Sequence, residues 1–321
     1  QDTYISVTQN FQFPTVYIQQ SKMQNLSIRV SEKKLAVTQR ELIRNVKSAY
    51  YQLAFIIEKL QILSYQNSLY KSFSEKAELK YQSGESSYLE MLSAKSKEQE
   101  ILLQKSQAEA DVNSYQQELQ KLLNVQYEIS LSPEKLEKLS LVSKPDISTV
   151  KQHPLLEHFN QQIVLAHSRI SVEKHKLLPD FSVGYFNQTL ESERGFQGIQ
   201  LGIGLPIFFW EQQGKVEAAK IQMQIAQSDY ENNQNLLMTT FKQLLQEFEK
   251  YSKALNYYKT TGLKQADEIL KVSILGYEKG ELGYVEYIQS VTQAIGIKSD
   301  YLNNLNQYNQ AVINIQFYTE K

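Results

Sequence analysis

The sequence predicts a mainly α-helical chain with a small β part, built from duplicated units of strand, very long helix and returning helix. Three observations lead there. The stretch "YQSGESSYLEML" at 81–92 returns as "YEKGELGYVEYI" at 277–288, so Tyr-x-x-Gly-Glu-x-x-Tyr-x-Glu is spelled twice, 196 positions apart. Apolar residues step by four and three over tracts much longer than an ordinary helix. Glycine and proline are scarce, 12 and 6, and five of the glycines crowd between Gly184 and Gly204.

Composition narrows the function classes. The 321 residues are 41% hydrophobic and 21% charged, enough for ordered cores. With 34 basic residues against 35 acidic there is no net field to hold nucleic acid, and nucleic acid is not an expected partner. The absence of cysteine excludes disulfides, thiolate metal sites and cysteine nucleophiles. The opening "QDTYISVTQNFQFP" lacks the basic start and apolar core of a signal peptide. No run approaches the roughly 20 apolar residues of a spanning helix. The chain reads as soluble, as mature, or as a piece of something longer.

Taken in order, "YISVTQNFQFP" is a period-two strand closed by Pro14. A helix from about 17 to about 80 follows, striped by Leu42, Val46, Ala49, Leu53, Ile56, Leu60 and Leu63. At 1.5 Å per residue it is on the order of 95 Å long and needs partners along its length. Ile57, Tyr65 and Leu69 beside the main stripe supply a second seam. Gly84 can close this helix in the left-handed conformation, and Ser86 or Ser87 can cap the next. That second helix, about 87–123, carries Ala108, Val112, Tyr115, Leu119 and Leu122 and should return antiparallel.

Pro133, Pro145, Pro154 and Pro179 punctuate the middle of the chain. "PDFSVGYFNQTL" is a strand, "ESERG" its turn, and "GFQGIQLGIGLP" the partner strand, closed by Pro206. Ile199, Leu201, Ile203 and Leu205 point one way, and Gly198, Gln200, Gly202 and Gly204 the other. Strands of this length, apolar on one face and rich in glycine and glutamine on the other, suit a membrane β-barrel. A soluble hairpin with one face on a core fits the same residues. A second long helix, about 214–277, ends at Gly280, and another returns over about 284–317. The structural repeats are therefore 1–150 and 151–321, with both tips expected at one end, opposite the strands.

These segments, in this order and duplicated, resemble the TolC-like outer-membrane efflux proteins over essentially the whole chain. The junctions "FPTVYIQQSKM" and "LPIFFWEQQGKV", the run "HPLLEHFNQQIVLAHSRISVEKHKLLPDFSVGY" and the two tips carry the resemblance. "FPTVYIQQ" also looks like the TolC-like portion joined to heavy-metal efflux pumps. The resemblance implies a homotrimer whose chains together close a β-barrel in outer-membrane lipid and an α-helical tunnel through the periplasm. It implies docking of the tips on a periplasmic adaptor protein and an inner-membrane pump of the resistance-nodulation-division type. The function implied is a passive exit duct for small molecules or metal ions, with no cofactor.

Residue by residue, the tips Gly84, Glu85, Ser87, Gly280, Glu281 and Gly283 become adaptor-docking candidates; tight helix ending is the plainer reading. Glu90 and Glu286 stand where the family carries aspartates that narrow the periplasmic entrance, and glutamate replaces aspartate in both copies. The gating arginine has no counterpart, since Ser86 and Leu282 occupy its positions, leaving Tyr88 and Tyr284 to hold a closed state. The family's N-terminal helix and first strand are missing here, so the chain reads as a fragment.

No Walker loop, Gly-x-Ser-x-Gly or His-Glu-x-x-His occurs, and no enzyme is read. His153, His158, His167 and His175 cluster in sequence. At about 100° per residue, however, successive members lie about 140°, 180° and 80° apart, which does not suit chelation from one helix. They read as solvated or packed. Phe208, Phe209 and Trp210 follow the last strand, where aromatic anchors sit at a membrane interface; packing of the helix start is the plainer alternative. A periplasmic adaptor would need a lipoyl-like domain around a single hairpin, and a helical scaffold would have no use for "GIQLGIGLP".

Overall fold

The computed structural model describes residues 3–127, 129, 136–141, 145–190 and 193–319. In chain order the elements are β1 (Thr3–Phe11), α1 (Pro14–Gln82), α2 (Tyr88–Leu123), the short α3 (Ile147–Val150), α4 (Pro154–His175), β2 (Asp180–Leu190), β3 (Glu193–Gly204), α5 (Phe209–Tyr257), a π-helical turn (Tyr258–Gly262), α6 (Leu263–Glu278) and α7 (Tyr284–Thr319). The chain is mainly helical with one small antiparallel sheet, as the periodicities predict. Pro133 and the first two residues of the "ESERG" turn lie outside the described residues.

Two compact units form, each drawing on both halves of the chain: Gln1–Gln39 with Ser148–Met238, and Arg40–Ile147 with Thr239–Lys321. The first holds the sheet, ordered β1-β2-β3 and antiparallel throughout. Its register puts Val7, Tyr185 and Ile199 in one row and Gln9, Val183 and Leu201 in the next. Because side chains alternate along a strand, this face collects Ile5, Val7, Val183, Tyr185, Ile199, Leu201 and Ile203. All are exposed, Leu201 at 77%. Toward the helices the reverse face is small and polar, and its glycines fit their neighbours closely. A Cβ at Gly202 would stand 2.4 Å from the Ser182 hydroxyl, and one at Gly184 would stand 2.9 Å from that of Thr8.

α4 leads into the sheet. Pro154 occupies its first turn, and the buried His153 caps it, Nδ1 accepting the Leu155 N–H at 3.2 Å. Ile170 of α4 packs on Val216 and Ala219 of α5. Here the structure corrects one expected boundary: α5 starts at Phe209, not near Gly214. Glycine in a helix interior costs about 1 kcal/mol relative to alanine, and the buried contacts of Val216 and Ala219 just beyond it outweigh that.

The second unit holds both helical hairpins. Ile101 of α2 joins Tyr70 and Phe73 of α1, whereas Leu119 joins Ala49 and Leu53, so α2 runs antiparallel to α1. α7 does the same on another side. Tyr287 and Val291 meet Tyr70 and Phe73, and Leu302, Leu305 and Tyr308 meet Phe55 and Ile56. Of the expected second seam, Ile57 packs with the Leu53–Leu119 group and Leu69 with the Tyr70 group, whereas Tyr65 is exposed. Between α1 and α7 the polar contacts are reciprocal. Ser48 Oγ donates to Gln310 Oε1 at 2.6 Å, and Gln310 Nε2 donates to the Ser48 carbonyl at 3.1 Å.

The π-turn interrupts the second long helix where periodicity alone expects continuity. Its sequence, YKTTG, is rich in weak helix formers. Thr260 bonds back to the Asn256 carbonyl at 2.8 Å, and Gly262 admits the neighbouring helix, since a Cβ there would lie 3.5 Å from Ile297 Cγ2. Such a turn accommodates one extra residue without ending the helix.

Candidate functional site at the hairpin tips

Both tips close by the same backbone device. Gly84 and Gly280 adopt left-handed φ values of 79° and 75°. Around each, two bonds tie the turn to the last helical carbonyls. Glu85 N–H reaches the Lys80 carbonyl at 2.8 Å and Gly84 N–H that of Tyr81 at 3.0 Å; Glu281 N–H reaches Gly276 at 2.8 Å and Gly280 N–H reaches Tyr277 at 3.1 Å. This is the Schellman arrangement, and only glycine takes the required φ without Cβ strain.

The returning helices begin differently. In the first tip Ser87 Oγ accepts the Glu90 N–H at 3.2 Å. In the second, where Gly283 has no side chain, Glu286 Oε2 accepts the Gly283 N–H at 3.2 Å. Each tip thus uses one half of a capping box. Equivalence of Glu90 and Glu286, which the repeated motif invites, fails here for that reason. A second difference lies at Leu282, which folds over Gly276: a Cβ on Gly276 would meet Leu282 Cδ1 and Cγ at 2.9 Å. The first copy has Ser86 and Lys80 at those positions.

The tips are brought together. Tyr277 stacks on Tyr287, centroids 4.5 Å apart and 8° from parallel, and Phe73 of α1 stands edge-on to Tyr287 at 4.7 Å and to Tyr277 at 6.1 Å. Lys80 Nζ lies 5.5 Å from the Tyr277 ring centroid, and the Tyr70 hydroxyl meets Thr292 Oγ1 at 2.8 Å. Tyr284 sits partly buried near Glu90. Burial first, and then the Glu90 carboxylate, push its hydroxyl pKa up to about 12. Tyr88, its counterpart, is exposed and pairs with Tyr81 of its own tip, at 5.6 Å. Of the entrance candidates, then, Tyr284 lies within reach of the Glu90 charge from the other tip, Glu286 is engaged at its own helix start, and Tyr88 faces solvent. Glu85, Ser87, Glu281 and Gly283 are exposed around the two glycines. Phe73 and Lys80 escaped sequence reading because they lie outside the repeated motif.

Elsewhere, Phe208, Phe209 and Trp210 are exposed at the start of α5, with ring centroids of 208 and 210 at 5.0 Å and of 209 and 210 at 5.8 Å. The histidines have separate surroundings. His158 contacts the Val30 carbonyl and Gln162, His175 contacts the Ser171 carbonyl, and His167 is exposed. Among the described residues no group of three or more His, Asp or Glu gathers as a metal site, and no helix is long and apolar enough to cross a membrane. A cavity of about 920 Å³ in the first unit is lined by residues including Tyr17, Gln24, Gln162, Arg169, Glu173 and Asp229.

A family model described as outer membrane efflux protein matches residues 148–319. Among solved structures, a membrane protein from Pseudomonas aeruginosa superposes with a TM-score of 0.83 at 12% identity, covering 99% of this chain and 83% of the other. The CmeC outer membrane channel of Campylobacter jejuni gives 0.77 at 15%, covering 99% and 77%. CusC, solved in a study of folding and transmembrane channel formation, gives 0.79 at 15%, also covering 99% and 77%. At these identities the likeness shows the fold. Comparison with curated proteins gave no sequence match.

Proposed function

The chain belongs to the outer membrane efflux protein family, and from that premise we propose that it works as the passive exit duct of a tripartite pump. It is an outer-membrane channel component of an efflux system, with its helical part in the periplasm. The finer reading is a homotrimer that receives a periplasmic adaptor and, through it, a resistance-nodulation-division pump, and that conducts small molecules or metal ions without catalysing a reaction. Two structural repeats, 1–150 and 151–321, supply its strands and hairpins.

One observation carries this reading. The sheet exposes a mainly apolar face, while its reverse is small and polar toward the helices and its outer strands are β1 and β3. Strands lie in lipid only when their edges are closed, and three strands do not close a channel. Further copies of the chain must pair those edges. Phe208, Phe209 and Trp210 then anchor the boundary between strands and helices at the lipid interface. At the tips, Gly84, Glu85, Ser87, Gly280, Glu281 and Gly283 form the adaptor contact, and Glu90, Glu286, Tyr88 and Tyr284 the entrance.

Outer-membrane fractionation with chemical cross-linking tests the assembly. Cross-linked species at three times the 37.2 kDa chain mass, extracted only by detergent, are expected. A monomer that stays dispersed without detergent would reject the duct. Quenching of Trp210 fluorescence by brominated lipid checks the anchor.

A further inference from the structure

The inner face of the sheet changes character along its length. Toward the helices its rows hold Thr8, Gly184 and Gln200, and then Asn10, Ser182 and Gly202. In the two rows nearest the β2–β3 turn it is aromatic. Tyr4, Gln188 and Phe196 share one row, and Ser6, Phe186 and Gly198 the other. Phe11 and Phe181, at the helix end, belong to the opposite, apolar face.

Glycine explains part of this. The Phe186 ring lies across Gly198, where a Cβ would stand 2.5 Å from Cε1 and Cζ, and an aromatic laid over a strand glycine shields its backbone. Tyr4 stacks on Phe186 at 5.9 Å and 27°. Within one chain Tyr4 and Phe196, on the edge strands β1 and β3, stay 57% and 51% exposed, and pairing of those edges with further copies leaves both rings on the face turned away from lipid. Rings of this size give up much of their hydrophobic stabilisation when left in water. What passes such a face in a channel is the solute in transit. Ring faces attract planar aromatic solutes by offset stacking, and cations by their quadrupole.

We propose that Tyr4, Phe186 and Phe196 form an aromatic collar at the outer mouth of the duct, a weak contact site for planar aromatic cations leaving it. The collar rests on the channel reading above and adds a solute class to it. Contacts of this kind are strong enough to draw a planar solute to the wall and weak enough to release it.

The experiment records single-channel current from the full chain reconstituted in planar bilayers. Proflavine, a planar aromatic cation, is added on the side of the strand turns, with tetramethylammonium as the non-aromatic cation. Proflavine should block the parent channel. Tyr4→Ser combined with Phe196→Ser should raise its half-blocking concentration roughly tenfold, with the response to tetramethylammonium unchanged. This variant keeps Phe186 over Gly198, so the sheet retains its cover. Phe186→Leu keeps an apolar cover without a ring face and should also weaken the block. A parent channel indifferent to proflavine, or equal half-blocking concentrations in parent and variants, overturns the collar. A chain that forms no conducting channel overturns the duct itself, which is a separate result.

Discussion

Glu286 holds the backbone N–H of Gly283 at 3.2 Å, the bond that starts α7, whereas in the first tip Ser87 does the equivalent work for Glu90. One carboxylate of the repeated motif is therefore tied to its own helix and the other is not. Glutamine can serve in the same capping position, so Glu286→Gln removes the charge and keeps the cap, while Glu286→Ala removes both at a cost of about 1 kcal/mol. If the carboxylates line the entrance, Glu90→Gln with Glu286→Gln should reduce cation preference and divalent block in single-channel recording, without lowering the melting temperature. Unchanged selectivity would leave them as helix-start residues only.

The tip glycines separate docking from folding. Nothing lies within 4 Å of a Cβ at Gly84 or Gly280, so substitution there meets only the cost of the left-handed backbone, roughly 1–2 kcal/mol. Asparagine tolerates that conformation better. Gly84→Asn with Gly280→Asn should leave the trimer intact. Gly84→Trp with Gly280→Trp should also leave it intact, yet abolish resistance in a cell that depends on the pump. Normal resistance with both tryptophans present would rule out adaptor contact at these positions.

Gly276 differs from them because its neighbour is fixed. Gly276→Ala forces a methyl against Leu282 at 2.9 Å, overpacking expected to cost about 1–3 kcal/mol. Leu282→Ala in the same chain should recover most of that loss. A double-mutant cycle by denaturant unfolding measures it, and additive losses would show that the two residues do not couple.

Alkaline pH should loosen the tips. Tyr284, ordinarily titrating at 10.0, is held up to about 12 by burial and by Glu90, so the folded state keeps a proton that the unfolded chain releases. Its contribution is complete below pH 10 and disappears as the pH rises through about 12. Burial raises Tyr287 as well. Tyr284→Phe should flatten the fall in stability across that window, and Glu90→Gln should move the Tyr284 titration back toward 10.0. An ultraviolet titration of the tyrosines in wild type and both variants provides the check.

Much of this fold is local chemistry and was legible without coordinates. Gly84, Gly280 and Ser87 mark the tips because a left-handed glycine and a hydroxyl cap act on backbone groups within a few residues. The alternation of Ile199, Leu201 and Ile203 with Gly198, Gln200 and Gly202 assigns the two faces of β3, because the pleat allows nothing else. Packing residues of α1 beside the main stripe were visible in Ile57 and Leu69, though Tyr65, expected with them, is exposed. Even the Gly283–Glu286 cap lies within three residues and could have been read as half of a capping box.

The remainder depended on elements distant in the chain. Stripes show that a helix has partners but not which ones. Only packing decides that α1 meets both α2 and α7, or that Phe73 stands edge-on to the stacked Tyr277 and Tyr287. The contact of Lys80 with Tyr277 and the reach of the Glu90 charge to Tyr284 follow from laying two hairpins side by side. No local rule within either motif contains them. The start of α5 at Phe209 and the π-turn at Tyr258–Gly262 were likewise tertiary outcomes: contacts of Val216 and Ala219 with Ile170, and the approach of Ile297 to Gly262, override the weak propensities of a glycine and a threonine pair.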